Sequence, residues 1–139
     1  MKSIRFLLLG ILSLFVVACS DKKEAASTAD IAAGSHKISI LFVEQSGCGS
    51  CELLKNTFKK AEVKKILDSD YEVKFIDISK VNTLPKGVME PFGTPTLYFI
   101  SPDGKELHQP MMGAKNQDDL MDLLNQIKND YRASSSKNK

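Results

Sequence analysis

Two cysteines stand three residues apart at Cys48-Gly49-Ser50-Cys51. They follow an apolar run, Ile38-Ser39-Ile40-Leu41-Phe42-Val43, and open a stretch of helical spacing. This order constrains the fold more than anything else in the chain. The run reads as a strand, the link as a short turn, and the cysteines as neighbours on the first turn of a helix. There they can close a disulfide or open it, so the context reads as a redox motif. Spacing alone leaves a second use open, because a CxxC is also half of a zinc site.

The N-terminus reads as an address. Lys2 and Arg5 are followed by a mostly apolar stretch from Phe6 to Ala18. Crossing a bilayer takes roughly 20 residues, so this stretch is too short to span and fits the apolar part of a signal peptide. It ends in Val16-Val17-Ala18-Cys19, which resembles the bacterial lipobox. The resemblance implies cleavage before Cys19 and acylation of that cysteine. The plainer alternative is an ordinary secretory signal that contains a cysteine. On the lipoprotein reading, the three cysteines become one lipid anchor and one redox pair, leaving no odd thiol in an oxidising compartment. The formal net charge is +2, and Lys2 and Arg5 carry that excess. The mature chain is then near neutral, and nothing in its charge points to nucleic acid.

The expected organisation is a signal peptide over 1–18, the lipidated Cys19 with a polar, Ala-rich tether over 19–36, a folded domain over 37–131, and a disordered tail over 132–139. The first strand is placed at Lys37 to Val43. A helix starts near Gly49 and lines up Cys51, Leu54 and Phe58 on one face. Lys59-Lys60 marks a bend, after which Ala61, Val63, Ile66 and Leu67 continue the apolar side. Tyr71 to Ile78 reads as a second strand. Pro85, Gly87 and Pro91 leave space for only a short helix before Thr96-Leu97-Tyr98-Phe99-Ile100, a strongly β-prone run. Ser101-Pro102-Asp103-Gly104 is a turn by composition, and Lys105 to Gln109 is expected to return as an antiparallel strand. Asn116 to Ile127 is amphipathic, with Leu120, Leu123, Leu124 and Ile127 on one side. Such an order buries its faces most economically around a central sheet.

Three features in sequence resemble the thioredoxin superfamily: the CxxC after the first strand, Gly93-Thr94-Pro95-Thr96 entering the third, and Ser101-Pro102-Asp103-Gly104-Lys105 leading through Gly113 to the last helix. The resemblance spans about Ile38 to Ile127. Within the superfamily it is most similar to periplasmic thiol reductases such as the DsbD C-terminal domain and the thioredoxins of sulfur oxidation. It implies an α/β thioredoxin-like fold, a central mixed sheet flanked by helices.

The resemblance also implies roles. Cys48 is the attacking nucleophile, favoured as thiolate at the helix N-terminus, and Cys51 the more buried resolving thiol. Gly49 and Ser50 set the redox poise; lacking both the proline typical of reducing thioredoxins and the imidazole of strong oxidants, they lean toward reduction. Pro95 follows a cis peptide bond, and the backbone of Thr94 pairs with a substrate strand. Two places depart from the pattern. Gly47 stands where reducing thioredoxins carry tryptophan, and Phe42 stands where thioredoxin has a buried acid. Glu44, two residues on and on the same strand face, is either the proton acceptor for Cys51 or a solvated loop glutamate. His36 and His108 read as surface residues. Met111-Met112 reads as hairpin-end packing or a substrate-facing rim rather than a copper site.

The expected protein is thus a membrane-tethered, periplasmic thiol:disulfide oxidoreductase acting as a monomer, with outer-membrane attachment favoured over inner by Ser20 and Asp21 after the lipidated cysteine. It needs no bound cofactor. Its implied partners are disulfide-containing periplasmic proteins and a membrane electron donor of the DsbD type. The alternatives are a thiol oxidant or isomerase, or a metal-handling or protein-binding lipoprotein on the same fold.

Overall fold

The protein is described by a computed structural model, in which residues 36–80 and 84–137 are described. The stretch read as a signal peptide, Cys19, and residues 20–35 of the stretch read as a tether lie outside the described residues.

The near-continuous apolar run after Lys37 becomes β1 (Ile38–Glu44). A strand with no polar alternation has to be covered on both faces, and β1 is one of the two inner strands. It pairs in parallel with β2 (Tyr71–Asp77) and antiparallel with β3 (Thr96–Ile100), whose five residues are all buried. A two-residue β4 (Met111–Met112) closes the mixed sheet, in the order β2-β1-β3-β4.

Between β1 and β2 lie two helices, α1 (Gly49–Phe58) and α2 (Ala61–Asp70). The bend falls at Lys59-Lys60, as the sequence indicates: Lys60 is extended, with ψ 136°. Near the end of α1 the Thr57 hydroxyl bonds both the Leu53 carbonyl at 3.2 Å and the Lys115 carbonyl at 3.1 Å. The second bond ties α1 to the segment before α3 (Gln117–Lys137).

Strand period two sorts the core. Ile38, Ile40, Phe42, Leu97 and Phe99 point to one face. There they meet Cys51, Leu54 and Phe58 of α1, Val63 and Leu67 of α2, and Leu120, Leu124 and Ile127 of α3. Leu54, Leu120 and Leu124 have no exposure, each contributing about 1.5–3 kcal/mol by burial. Leu41, Val43, Tyr98 and Ile100 point the other way and are closed over by Ile76, Ile78, Leu84 and Val88. Among the described residues between β2 and β3 there is no helix. Pro85, Gly87 and Pro91 keep that segment irregular, and it covers its face as loop.

Two further expectations are corrected. The return strand is not Lys105 to Gln109. Glu106 makes one isolated bridge to Ile100, and ladder pairing resumes only at Met111–Met112. Pro110, with no N–H to donate and a fixed φ, interrupts the run. The tail placed over 132–139 is helical as far as Lys137. The Ser134 and Ser136 hydroxyls donate to the Tyr131 and Ala133 carbonyls at 2.8 and 2.9 Å, so these serines bond within the helix. Among the described residues, no helix is long and apolar enough to cross a membrane.

Candidate active site

The turn from β1 to α1 carries the reactive sulfurs. Gly47 has φ +77°, a backbone conformation that strains any L side chain, and no atom lies within 4 Å of where its Cβ would stand. Conformation, not crowding, requires glycine there. Cys48 follows, extended, as the N-cap of α1, and its Sγ accepts the Cys51 N–H at 3.1 Å. A sulfur in this place meets unpaired amides and the positive end of the helix dipole, which favour it as an anion.

Cys48 and Cys51 form a disulfide, with Cα atoms 5.2 Å apart. The two sulfurs are unequally accessible. Cys48 is half-buried at the surface, whereas Cys51 is 1% exposed and belongs to the core with Phe42, Leu54 and Phe58.

Across the site the Thr94–Pro95 bond is cis. This loop is fastened on several sides. The Ser50 hydroxyl donates to the Thr94 carbonyl at 3.3 Å and lies 3.5 Å from Cys48 Sγ. The Pro95 carbonyl accepts the Gly113 N–H at 2.9 Å, and the Thr96 hydroxyl donates to the Gly93 carbonyl at 2.7 Å. Cys48, Gly49, Ser50, Cys51, Thr94 and Pro95 therefore converge on one spot, although 44 residues of chain separate Ser50 from Thr94.

Glu44 is the last residue of β1, not part of a solvated loop. Its side chain is 17% exposed, and its carboxylate is paired with the Lys55 ammonium. Lys55 also bonds Glu52 at 3.1 Å and lies 5.9 Å above the Phe75 ring. Its hydrogen bond to Glu44, and secondly that to Glu52, raise its pKa above the ordinary lysine value. A cleft of about 440 Å³ is lined by these groups, Cys48, Asp77 and Lys80. Asp77 and Lys80 pair at 2.9 Å, and this bond holds the Asp77 carboxyl below the usual carboxylate range.

Beyond the cis loop is an apolar rim: Phe92 is 88% exposed, Met89 58% and Met112 53%. The Tyr98 hydroxyl donates to the Met89 carbonyl at 2.6 Å, holding that side of the rim on the sheet. The Met111-Met112 pair divides, Met111 packing in the core at 7% exposure while Met112 faces out. His36 is exposed, and the His108 ring stands edge-on to Phe99 at 6.1 Å. Among the described residues, no group of three or more His, Cys, Asp and Glu side chains could hold a metal ion.

Sequence reasoning missed Lys55 and Phe92. Lys55 is four residues after Cys51 and so shares its side of the helix, but a lysine in that register reads as solvated. Phe92, two residues before Thr94, is marked only by being aromatic beside a proline loop.

No curated protein matches the chain by sequence. Solved structures share its shape. Chloroplastic thioredoxin z superposes with a TM-score of 0.56 at 23% identity, over 75% of this chain and 92% of that one. A thioredoxin-fold protein from Helicobacter pylori superposes with a TM-score of 0.56 at 19% identity, over 68% and 70%. The reduced DsbD C-terminal domain of Neisseria meningitidis gives 0.53 at 20%, over 71% and 90%. At these identities the likeness is one of fold. A family model described as a thioredoxin-like domain matches residues 25–128, beginning inside the stretch read as tether. With an active-site CxxC disulfide consistent with thiol–disulfide oxidoreductase chemistry, the chain belongs to the thioredoxin-like domain family.

Proposed function

We propose that this protein is a membrane-tethered, periplasmic thiol:disulfide oxidoreductase that reduces disulfides in partner proteins. The observation that carries the reading is the unequal burial of the two sulfurs in one disulfide: Cys48 faces a cleft, and Cys51 is 1% exposed. An accessible nucleophile backed by a buried resolving thiol is what two-step exchange requires.

In the reduced protein the Cys48 thiolate attacks one sulfur of a partner disulfide. A Cys48–partner mixed disulfide forms, and one partner thiolate leaves. Cys51 then loses its proton and attacks Cys48 Sγ. The Cys48–Cys51 disulfide forms, and the second partner thiolate leaves. Two electrons have passed to the partner, the one proton given up by Cys51 is free to return to a partner thiolate, and the protein must be reduced again by a dithiol donor. In the periplasm, which lacks a thiol buffer, a membrane carrier of the DsbD type fits that need. Thr94, with its backbone beside Cys48, is the position for a partner strand to pair, and Pro95 shapes the loop that presents it. Glu44 is the proton acceptor for Cys51. No bound cofactor enters any step, and the protein acts as a monomer.

Direction rests on Gly49-Ser50, which offers the Cys48 thiolate no imidazole, and so lacks one device that makes strong oxidants. Attachment rests on Val16-Val17-Ala18-Cys19, with the acylated Cys19 as anchor and Ser20-Asp21 favouring the outer membrane.

The test is the reduction potential of Cys48–Cys51 in the full chain, equilibrated against dithiothreitol and glutathione buffers. A value near −270 mV, about that of thioredoxin, supports a reductase. A value near −120 mV, about that of DsbA, makes it an oxidant. Absence of any reversible two-electron couple sinks the exchange reading and moves metal handling or protein binding to first place.

A further inference from the structure

The cleft beside Cys48 is lined by five ionisable groups from four parts of the fold. Glu44 comes from β1, Glu52 and Lys55 from α1, Asp77 from β2, and Lys80 from the turn that follows. Three are acids and two are lysines. Asp77 and Lys80 satisfy each other at 2.9 Å. Lys55 serves the other two carboxylates, pairing with Glu44 across the strand–helix junction and with Glu52 on its own helix at 3.1 Å. Helical side chains lean toward the N-terminus, so these contacts lie on the Cys48 side of Lys55. The Phe75 ring under the ammonium supports it from β2.

We propose that Lys55 is a positioning residue, a charge clamp that keeps Glu44 and Glu52 from opposing ionisation of the Cys48 thiol. The clamp deepens the exchange reading and rests on it. The physical argument is one of sign. A carboxylate near a thiol disfavours the thiolate and raises the pKa, and a lysine opposes this. With Lys55 in place, the two acids and their shared ammonium act on Cys48 as nearly one negative charge. Without it they act as two, and no other lysine of the cleft is free of its own acid. The bond to Glu44 holds Lys55 charged above the ordinary lysine range, so the clamp keeps one charge state throughout the thiol titration.

The test is the pH dependence of Cys48 alkylation by iodoacetamide in the reduced full chain, with the modified residue read by mass spectrometry. Lys55→Met moves the midpoint to higher pH by about half a unit to one unit, a roughly three- to tenfold loss of rate below the midpoint. Lys55→Arg, which keeps the charge, leaves the midpoint in place. Adding Glu44→Gln to Lys55→Met returns it part of the way, since Glu52 remains. An unmoved midpoint in Lys55→Met overturns the clamp. So does a shift that neither arginine nor the added Glu44→Gln corrects, which would mark lost packing. If Lys55→Met does not fold, the Glu44→Gln/Glu52→Gln double variant tests the same idea with the opposite sign. It leaves the ammonium unbalanced, the midpoint falls, and an unmoved midpoint again overturns the proposal. The exchange reading stands or falls on the unaltered chain and the clamp on these variants, so the two failures are told apart.

Discussion

The Ser50 hydroxyl, on the turn between the two cysteines, donates to the carbonyl of Thr94 at 3.3 Å and joins the redox helix to the cis-proline loop. Both ends are half-buried. Deleting the donor leaves an acceptor that water reaches only in part. Ser50→Ala should therefore cost the oxidised chain about 1 kcal/mol, seen as a lower urea midpoint with unchanged slope. An unchanged midpoint would mean that the bond contributes nothing and the loop is held by Gly113 and Thr96 alone.

Ser39 offers the opposite sign. It sits inside β1 with no exposure, and among the described residues its hydroxyl has no hydrogen-bond partner. It shares a face with Leu41 and Val43, and a buried, unbonded hydroxyl carries a desolvation cost of about 1–3 kcal/mol. Ser39→Ala should raise stability by about 1 kcal/mol in the same denaturation assay. A loss would show that the hydroxyl is satisfied in solution.

Exchange chemistry predicts a division between the two cysteines. Cys48→Ser should abolish turnover of a protein disulfide, because nothing else at the cleft can attack. Cys51→Ser should retain attack but not release, and so accumulate a mixed disulfide through Cys48, visible as an adduct on non-reducing gels. An adduct through Cys51 in the Cys48→Ser protein would reverse the assigned roles.

Tyr71 starts β2 and donates its buried hydroxyl to the carbonyl of Leu124 in α3. Beside it, Asp70 pairs with Lys128 at 3.3 Å and Arg132 at 2.6 Å, so one dipeptide fastens the last helix. Tyr71→Phe should cost about 1 kcal/mol at neutral pH. Burial pushes the Tyr71 hydroxyl well above its ordinary value. A group whose folded pKa is raised loses its stabilising contribution as pH climbs past the unfolded value, about 10 for tyrosine. The wild-type advantage over Tyr71→Phe should hold below that pH and shrink above it. A gap that is constant through the alkaline range would deny the hydroxyl its buried setting.

These residues differ in how far the sequence disclosed them. Cys48 and Cys51 were legible because their spacing and the flanking β-run form a pattern in the chain itself, whereas the cis bond before Pro95 was legible only through the family resemblance. Leu54, Phe58, Leu120 and Leu124 were legible through helical period. β4 was misplaced because propensity cannot see that Pro110 withholds an amide at the point where pairing would have continued. Ser134 and Ser136 read as disorder because composition does not show their hydroxyls bonding back into the helix. Lys55 was not legible because its meaning lies in Glu44, across a strand–helix junction, and a lysine on a short helix otherwise reads as solvated.

Glu44 gives the last prediction. It follows Ile38, Ile40 and Phe42 along the face of β1 that packs against Cys51, and Lys55 holds its carboxylate in place. If it takes the Cys51 proton, its loss should slow release and not attack. General acid–base assistance contributes about 10²-fold or more, so Glu44→Gln should slow resolution of the mixed disulfide by roughly that factor. Alkylation of Cys48 should be no slower, because removing a nearby carboxylate does not hinder thiolate formation. Single-turnover stopped-flow separates the two steps: attack forms the mixed disulfide, and resolution consumes it. Accumulation of that intermediate in Glu44→Gln, reversed by raising the pH until Cys51 ionises unaided, is the expected result. Equal slowing of both steps would assign Glu44 to the shape of the cleft. No slowing of either would leave Cys51 to give its proton directly to water.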